Sequence, residues 1–130
     1  MTTAIPSGWK PTLVNSYYQA TDPADSGRFV RYGATTAPSD TLLASLEHAE
    51  SVNPNIHTGY QRLALGGVSY HGDDAVDWEF EFAKAGVTRH VYSRYWEVGG
   101  TEYFLYVSAT EVTWARTQPI FTVMANTATP

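Results

Sequence analysis

The stretch that most restricts the fold runs from Tyr70 to Ala109, where three strand patterns follow one another with only short breaks. Val76, Trp78, Phe80 and Phe82 alternate with Asp77, Glu79 and Glu81, and a period of two in β-branched and aromatic residues marks a half-buried strand. Lys84-Ala85-Gly86 suits a three-residue hairpin loop, and Gly99-Gly100 a two-residue turn of positive φ. The intervening strand covers Val87 to Val98. The last, Thr101 to Ala109, is apolar or aromatic at most positions, as in a strand covered on both faces.

With those loop lengths Phe80 faces His90, Trp78 faces Tyr92, Glu81 faces Arg89, and Trp96 faces Tyr103. One sheet face then carries Val76, Trp78, Phe80, Phe82, His90, Tyr92, Trp96, Tyr103, Leu105 and Val107, and is the core. The other carries Asp77, Glu79, Glu81, Arg89, Tyr95, Glu102, Phe104 and Tyr106. A slip of one residue would exchange the faces.

The flanking elements follow in order. Trp9, after Pro6-Ser7-Gly8, reads as an aromatic anchor at the edge of the core. Leu13 to Ala20 and Arg28 to Tyr32 read as paired strands around the turn formers of residues 21–27. Ser39 or Asp40 caps a helix whose stripe is Leu42, Leu43, Leu46 and Ala49, ended by Asn53-Pro54-Asn55. Tyr60 to Leu65 and Val68 to Tyr70 are strands separated by a turn or bulge at Gly66-Gly67. Glu111 to Ala125 is helical, with Trp114, Ile120, Phe121 and Met124 toward the sheet and Pro119 expected to split it. Helices packed on an antiparallel sheet make an α+β domain, and 130 residues suit a single unit, 1–130.

Charge and chemistry narrow the function. A net charge of −5 without a Lys/Arg cluster argues against nucleic acid. The absence of cysteine removes disulfides, thiolate catalysis and Cys-ligated zinc. No stretch approaches the roughly 20 apolar residues that span a bilayer, so this segment is not expected to insert in a membrane. His71 with Asp73, Asp74 and Asp77 is the nearest thing to a metal cluster, but His-Gly-Asp-Asp also reads as a polar turn, which is preferred; no metal or cofactor is assigned. Ser69 and His71 lack a nucleophile elbow. Leu65-Gly66-Gly67-Val68 lacks the Lys and spacing of a phosphate loop. His90 reads as a core histidine, and His48 and His57 carry no signal. Glu79 and Glu81, about 7 Å apart on one face by strand rise, could pair for acid–base hydrolysis, although a cross-strand ion pair with Arg89 is the plainer account. The candidate binding surface is Glu79, Glu81, Arg89, Tyr95, Phe104 and Tyr106, although the preferred reading of its aromatics is that a helix covers them as core, because a strand apolar on both faces is usually buried on both.

An ordered set of pieces carries a resemblance. They are Ile5-Pro6-Ser7-Gly8-Trp9, Tyr60-Gln61-Arg62, Tyr70-His71-Gly72 leading into Ala75-Val76-Asp77-Trp78-Glu79-Phe80, Arg94-Tyr95 before Gly-Gly, Tyr103-Phe104-Leu105-Tyr106, and Trp114 followed by Pro119-Ile120-Phe121. Together they resemble the C-terminal domains that lie outside the membrane in many actinobacterial serine/threonine protein kinases, and related secreted or lipoprotein modules. The resemblance implies a PsbP-type α/β/α sandwich. It implies a non-catalytic, extracytoplasmic sensor or interaction module, anchored through a longer parent chain and meeting an envelope ligand or protein. No catalytic residue carries over. In relatives a first strand precedes the Pro-x-Gly-Trp piece, and here little does. The alternatives are a small cytosolic enzyme or small-molecule binder using the Glu79/Glu81/Arg89/Tyr106 face, and an assembly module that forms homo-oligomers through a sheet edge.

Overall fold

The computed structural model describes residues 1–130. The chain forms β1 (Pro11–Val14), β2 (Tyr17–Asp22) and β3 (Asp25–Thr36), then helix α1 (Leu42–Val52). Next come β4 (Gln61–Tyr70), β5 (Asp73–Lys84), β6 (Val87–Val98) and β7 (Thr101–Thr110). A 3-10 turn at Glu111–Thr113 leads into helix α2 (Trp114–Thr127). All seven strands join one sheet in the order β1-β2-β3-β7-β6-β5-β4, each pair antiparallel. The α+β reading holds, with a helix on each face.

The layers follow from alternation. On one side Val30, Tyr32, Trp96, Leu105 and Val107 pack with Trp114, Phe121, Met124 and Ala125 of α2, and Trp9 is buried in this layer. On the other side Leu46 of α1 and Ile56 of the following loop pack with Val76, Trp78, Phe80, Phe82 and Val91. Removing such residues from water is the main favourable term in folding.

The β5–β6 register differs from expectation by one residue. Lys84 pairs with Val87, so the turn has two residues, Ala85 and Gly86, at φ 52° and 76°. A two-residue loop of this hand matches the twist of the strands better than the three-residue loop, and here an alanine accepts the left-handed conformation. Phe80 therefore faces Val91, Trp78 faces Ser93 and Glu81 faces His90. Trp96 does face Tyr103 across the Gly99-Gly100 turn. Every β6 and β7 side chain thus changes sides relative to β5. The aromatics of β5 share the α1 face with Arg89, Tyr95, Phe104 and Tyr106, while its acids share the α2 face with His90, Tyr92 and Trp96.

Other differences are local. The expected strand Leu13–Ala20 is a hairpin, because Asn15 adopts φ 55° and separates β1 from β2. Gly66-Gly67 lies within a continuous β4, whose irregularity falls between Arg62 and Ala64. The α1 cap is Thr41, whose hydroxyl accepts from the Ala44 N–H at 3.1 Å. Pro119 lies inside α2 without splitting it. Its ring removes one N–H on the solvent side, where Ala115 and Pro119 are both exposed and the freed carbonyl can meet water.

Candidate functional site

Helix α1 packs on β4 and β5, and at about 1.5 Å per residue it is too short to roof the whole sheet. On its side, β2, β3 and β7 present Tyr17, Gln19, Phe29, Arg31, Gly33, Phe104 and Tyr106, with no helix above them. Tyr95, Phe104 and Tyr106 are half-buried: Tyr95 and Tyr106 pack at the margin of the α1-side core, and Phe104 lies outside it. Burial still pushes the Tyr95 and Tyr106 phenols above their ordinary value. Gly33 forms the floor: a Cβ there would lie 3.0 Å from Tyr17 Cβ and 3.3 Å from Phe104 Cε1.

This open half contains a groove of about 740 Å³, walled by Phe29, Arg31, Arg89 and Tyr106 on the sheet, Lys84 at the β5–β6 turn, and Asn53 and Asn55 after α1. Its volume is typical of small-molecule sites. The Arg31 guanidinium lies 4.8 Å from the Phe29 ring centroid and 5.3 Å from those of Tyr17 and Tyr106. Arg89 lies 5.4 Å from the same Phe29 ring. Such stacking holds a guanidinium flat while leaving its edge free for hydrogen bonds. Arg31 Nε donates to Gln19 Oε1 at 2.9 Å. Arg89 Nη2 donates to the Gly27 carbonyl and to Ser108 Oγ, each at 2.8 Å, and burial lowers its pKa. A second groove, of about 760 Å³, lies at the start of α1 and is walled by Asp40, Asp73, Asp74 and Glu97 without any Lys or Arg.

The six residues expected to share one surface do not. Arg89, Tyr95, Phe104 and Tyr106 lie on the α1 face, and Glu79 and Glu81 on the α2 face. The one-residue register difference separates them. Glu79 and Glu81 instead surround His90, which is buried and stacked on Trp114 at 3.8 Å with an 8° interplanar angle. Its Nε2 lies 2.6 Å from Glu79 Oε2, and its Nδ1 lies 3.0 Å from Glu111 Oε2 and 3.7 Å from Glu81 Oε1. Glu81, His90 and Glu111 offer ligand atoms within 4.8 Å of one another, so they are the residues that could hold a metal ion. Equally, a carboxylate at each ring nitrogen accounts for the arrangement by itself, and it holds the two strand glutamates on an imidazole rather than across an open cleft.

Burial, followed by the Glu111 carboxyl, raises the Glu81 pKa above 4.5. In the interval between the unfolded and folded values the folded chain holds a proton that the unfolded chain has released, so stability rises as pH falls through it. At neutral pH the raised pKa is a net cost. Glu81→Gln is thus expected to stabilise the protein at neutral pH by up to about 1 kcal/mol. The gain should vanish in acid, below the ordinary Glu value, when urea denaturation is compared at the two pH values. A variant less stable than the parent at neutral pH would contradict this account.

The His71 group does not assemble. His71 and Gly72 form a positive-φ turn with His71 stacked 4.0 Å from Tyr70, and Asp77 is buried against Arg94. Sequence reasoning missed Phe29, Arg31, Lys84, Asn53 and Asn55. The alternation in Arg28-Phe29-Val30-Arg31-Tyr32 already places Phe29 and Arg31 on one face, and was the available signal.

The sequence matches, over residues 2–130, the family described as serine/threonine kinase C-terminal domain. No curated protein matches it. Among solved structures it is similar to PA94 of Pseudomonas aeruginosa, a protein of unknown function, at 17% identity and TM-score 0.70, over 97% of this chain and 88% of the other. It is similar to the cyanobacterial PsbP (CyanoP) of Synechocystis sp. PCC 6803 at 15% identity and TM-score 0.69, over 94% and 81%. It is also similar to LpqN of Mycobacterium tuberculosis, involved in cell envelope biogenesis, at 18% identity and TM-score 0.64, over 99% and 83%. At these identities the likeness speaks for a common fold and no more.

Proposed function

The chain belongs to the serine/threonine kinase C-terminal domain family, and from that premise we propose that it is the non-catalytic, extracytoplasmic sensor of a kinase, binding its ligand in the groove beside α1. The observation that carries this reading is the half of the sheet that α1 leaves open, with its 740 Å³ groove. A sheet face usually buries its aromatics under a second layer. Here Phe29, Phe104 and Tyr106 are only half-buried, Phe29 and Tyr106 in the groove wall and Phe104 outside it, and concave apolar walls with a few fixed polar groups are what ligand sites require.

The envelope location draws support from LpqN, which shares the fold and is involved in cell envelope biogenesis. No helix is long and apolar enough to cross a membrane, so on this reading the anchor belongs to other parts of the parent chain. The enzymatic alternative loses its basis, because Glu79 and Glu81 do not meet Arg89 and Tyr106.

The test is an amide NMR titration of the protein with a soluble enzymatic digest of bacterial cell-wall polymers. Saturable shifts are expected at Phe29, Arg31, Arg89 and Tyr106, with no turnover of the digest. No shifts, shifts confined to the α2 face, or hydrolysis abolished by Glu79→Gln would each overturn the proposal.

A further inference from the structure

We infer that the groove beside α1 takes an anionic saccharide, with the acidic substituent on Arg31 and Arg89 and the sugar ring against Phe29 and Tyr106; this rests on the groove being the ligand site. The argument begins with the distribution of charge. The protein has 13 acidic and 8 basic residues, so a groove lined at random would hold more acids than bases. This one holds Arg31, Lys84 and Arg89 and not one Asp or Glu. The groove at the other end of α1 has the opposite character, with four acids and no base.

The pairing of the arginines points the same way. Arg28, Arg62, Arg94 and Arg116 each reach a carboxylate, namely Asp22, Glu50, Asp77 and Asp25. Arg31 and Arg89 reach none, although Asp25 lies close enough to raise the Arg89 pKa slightly against the dominant effect of burial. They also crowd one ring, that of Phe29. Two like charges on one ring repel, and a protein rich in carboxylates has not placed one between them. An incoming anion would relieve that repulsion and fill the open guanidinium donors, since planar guanidinium forks match carboxylate and phosphate oxygens.

The remaining walls favour a sugar over a bare anion. Phe29 and Tyr106 stack at 6.4 Å with a 17° interplanar angle and, beside the guanidiniums that lie over them, supply an apolar wall for the C–H side of a pyranose. The Asn53 and Asn55 amides and the Ser26 and Thr110 hydroxyls offer donors and acceptors for sugar hydroxyls. An aromatic face with convergent amides and hydroxyls recognises the amphipathic surface of a saccharide.

The experiment is calorimetric titration of the protein with four probes: digalacturonate, glucose 6-phosphate, cellobiose and inorganic phosphate. The two charged sugars are expected to bind at least tenfold more tightly than either cellobiose or phosphate. Comparing them separates a carboxylate from a phosphate as the preferred anion, and either preference supports the inference. Their affinity should fall at least tenfold in Arg31→Gln and fall with added salt. Lys84 is exposed at a turn, so Lys84→Gln tests charge without touching the fold; a severalfold loss is expected. Asp74→Asn, in the acidic groove, should change nothing. Equal affinity for cellobiose would remove the anion from the inference, and equal affinity for phosphate would remove the sugar. If no probe binds while the cell-wall digest still shifts the groove resonances, this inference fails and the sensor reading stands. If neither binds, both fail.

Discussion

Asp77→Ala is expected to destabilise the protein by about 3–5 kcal/mol, the usual result of leaving a buried ion pair with one partner. Asp77 is 5% exposed in the sheet face beneath α2. Arg94 grips it twice, Nε to Oδ1 at 2.6 Å and Nη2 to Oδ2 at 2.8 Å, and the Tyr92 hydroxyl donates to Oδ2 as well. The guanidinium is meanwhile held between rings, 4.8 Å from the Tyr70 centroid and 5.2 Å from that of Phe121. Those two rings, one from β4 and one from α2, hold it against Asp77. Truncating Asp77 strands that cation and leaves the Tyr92 hydroxyl without its acceptor. Urea denaturation gives the magnitude, and a loss below about 1 kcal/mol would contradict the account. An Asp77→Ala/Arg94→Met double variant should lose less than Asp77→Ala alone, because no charge remains uncompensated. The Tyr92 phenol, pushed up to about 12 first by burial and then by Asp77, should titrate lower in the single variant.

Trp78→Ala should have an effect of similar size but a different distribution. Trp78 lies among only seven buried residues between α1 and the sheet, with Phe80 at 4.8 Å. Its indole N–H donates to the Tyr60 hydroxyl at 3.0 Å. Tyr60 in turn donates to Glu50 of α1, which Arg62 of β4 also holds. One side chain thus fills the smaller core and begins the polar chain that fastens α1. Removing it leaves a cavity worth about 3–5 kcal/mol. Hydrogen exchange is expected to show α1 amides losing protection well before those of α2, as a locally opening unit. Equal loss in both helices would mean that the two layers melt as one.

How much of this was legible in the sequence depends on how local the deciding contact is. The Gly99-Gly100 turn is written in adjacent residues, and with it the β6–β7 register. The β5–β6 turn depends on whether Lys84 pairs or loops. The left-handed tolerance of Ala85 decided that, against the preference of a β-carbon, and one residue moved Glu79 and Glu81 to the other side of the sheet from Arg89. The two Gly residues of β4 misled for the opposite reason: neither has a positive φ, and an extended glycine is indistinguishable in sequence from a turn glycine. Of the groove, only Arg89 and Tyr106 were readable, because they fall within the hairpins. Phe29 and Arg31 were not, since β3 reaches β7 across most of the chain length. Asn53 and Asn55 arrive only through the path of a loop.

The opposition of the two grooves has an electrical consequence. The first turn of α1 has no acid and its last turn no base, so the partial charges at the helix ends are not answered within the helix. The acidic groove lies at the positive end and the basic groove at the negative end. These side-chain charges, four acids at one end and three bases at the other, oppose the dipole of the helix. Near a layer of fixed negative charge the two grooves therefore contribute a torque, set against the net repulsion of a molecule of charge −5. Within about one screening length, roughly 10 Å at 0.1 M salt, that torque turns the basic groove toward the layer before any contact forms.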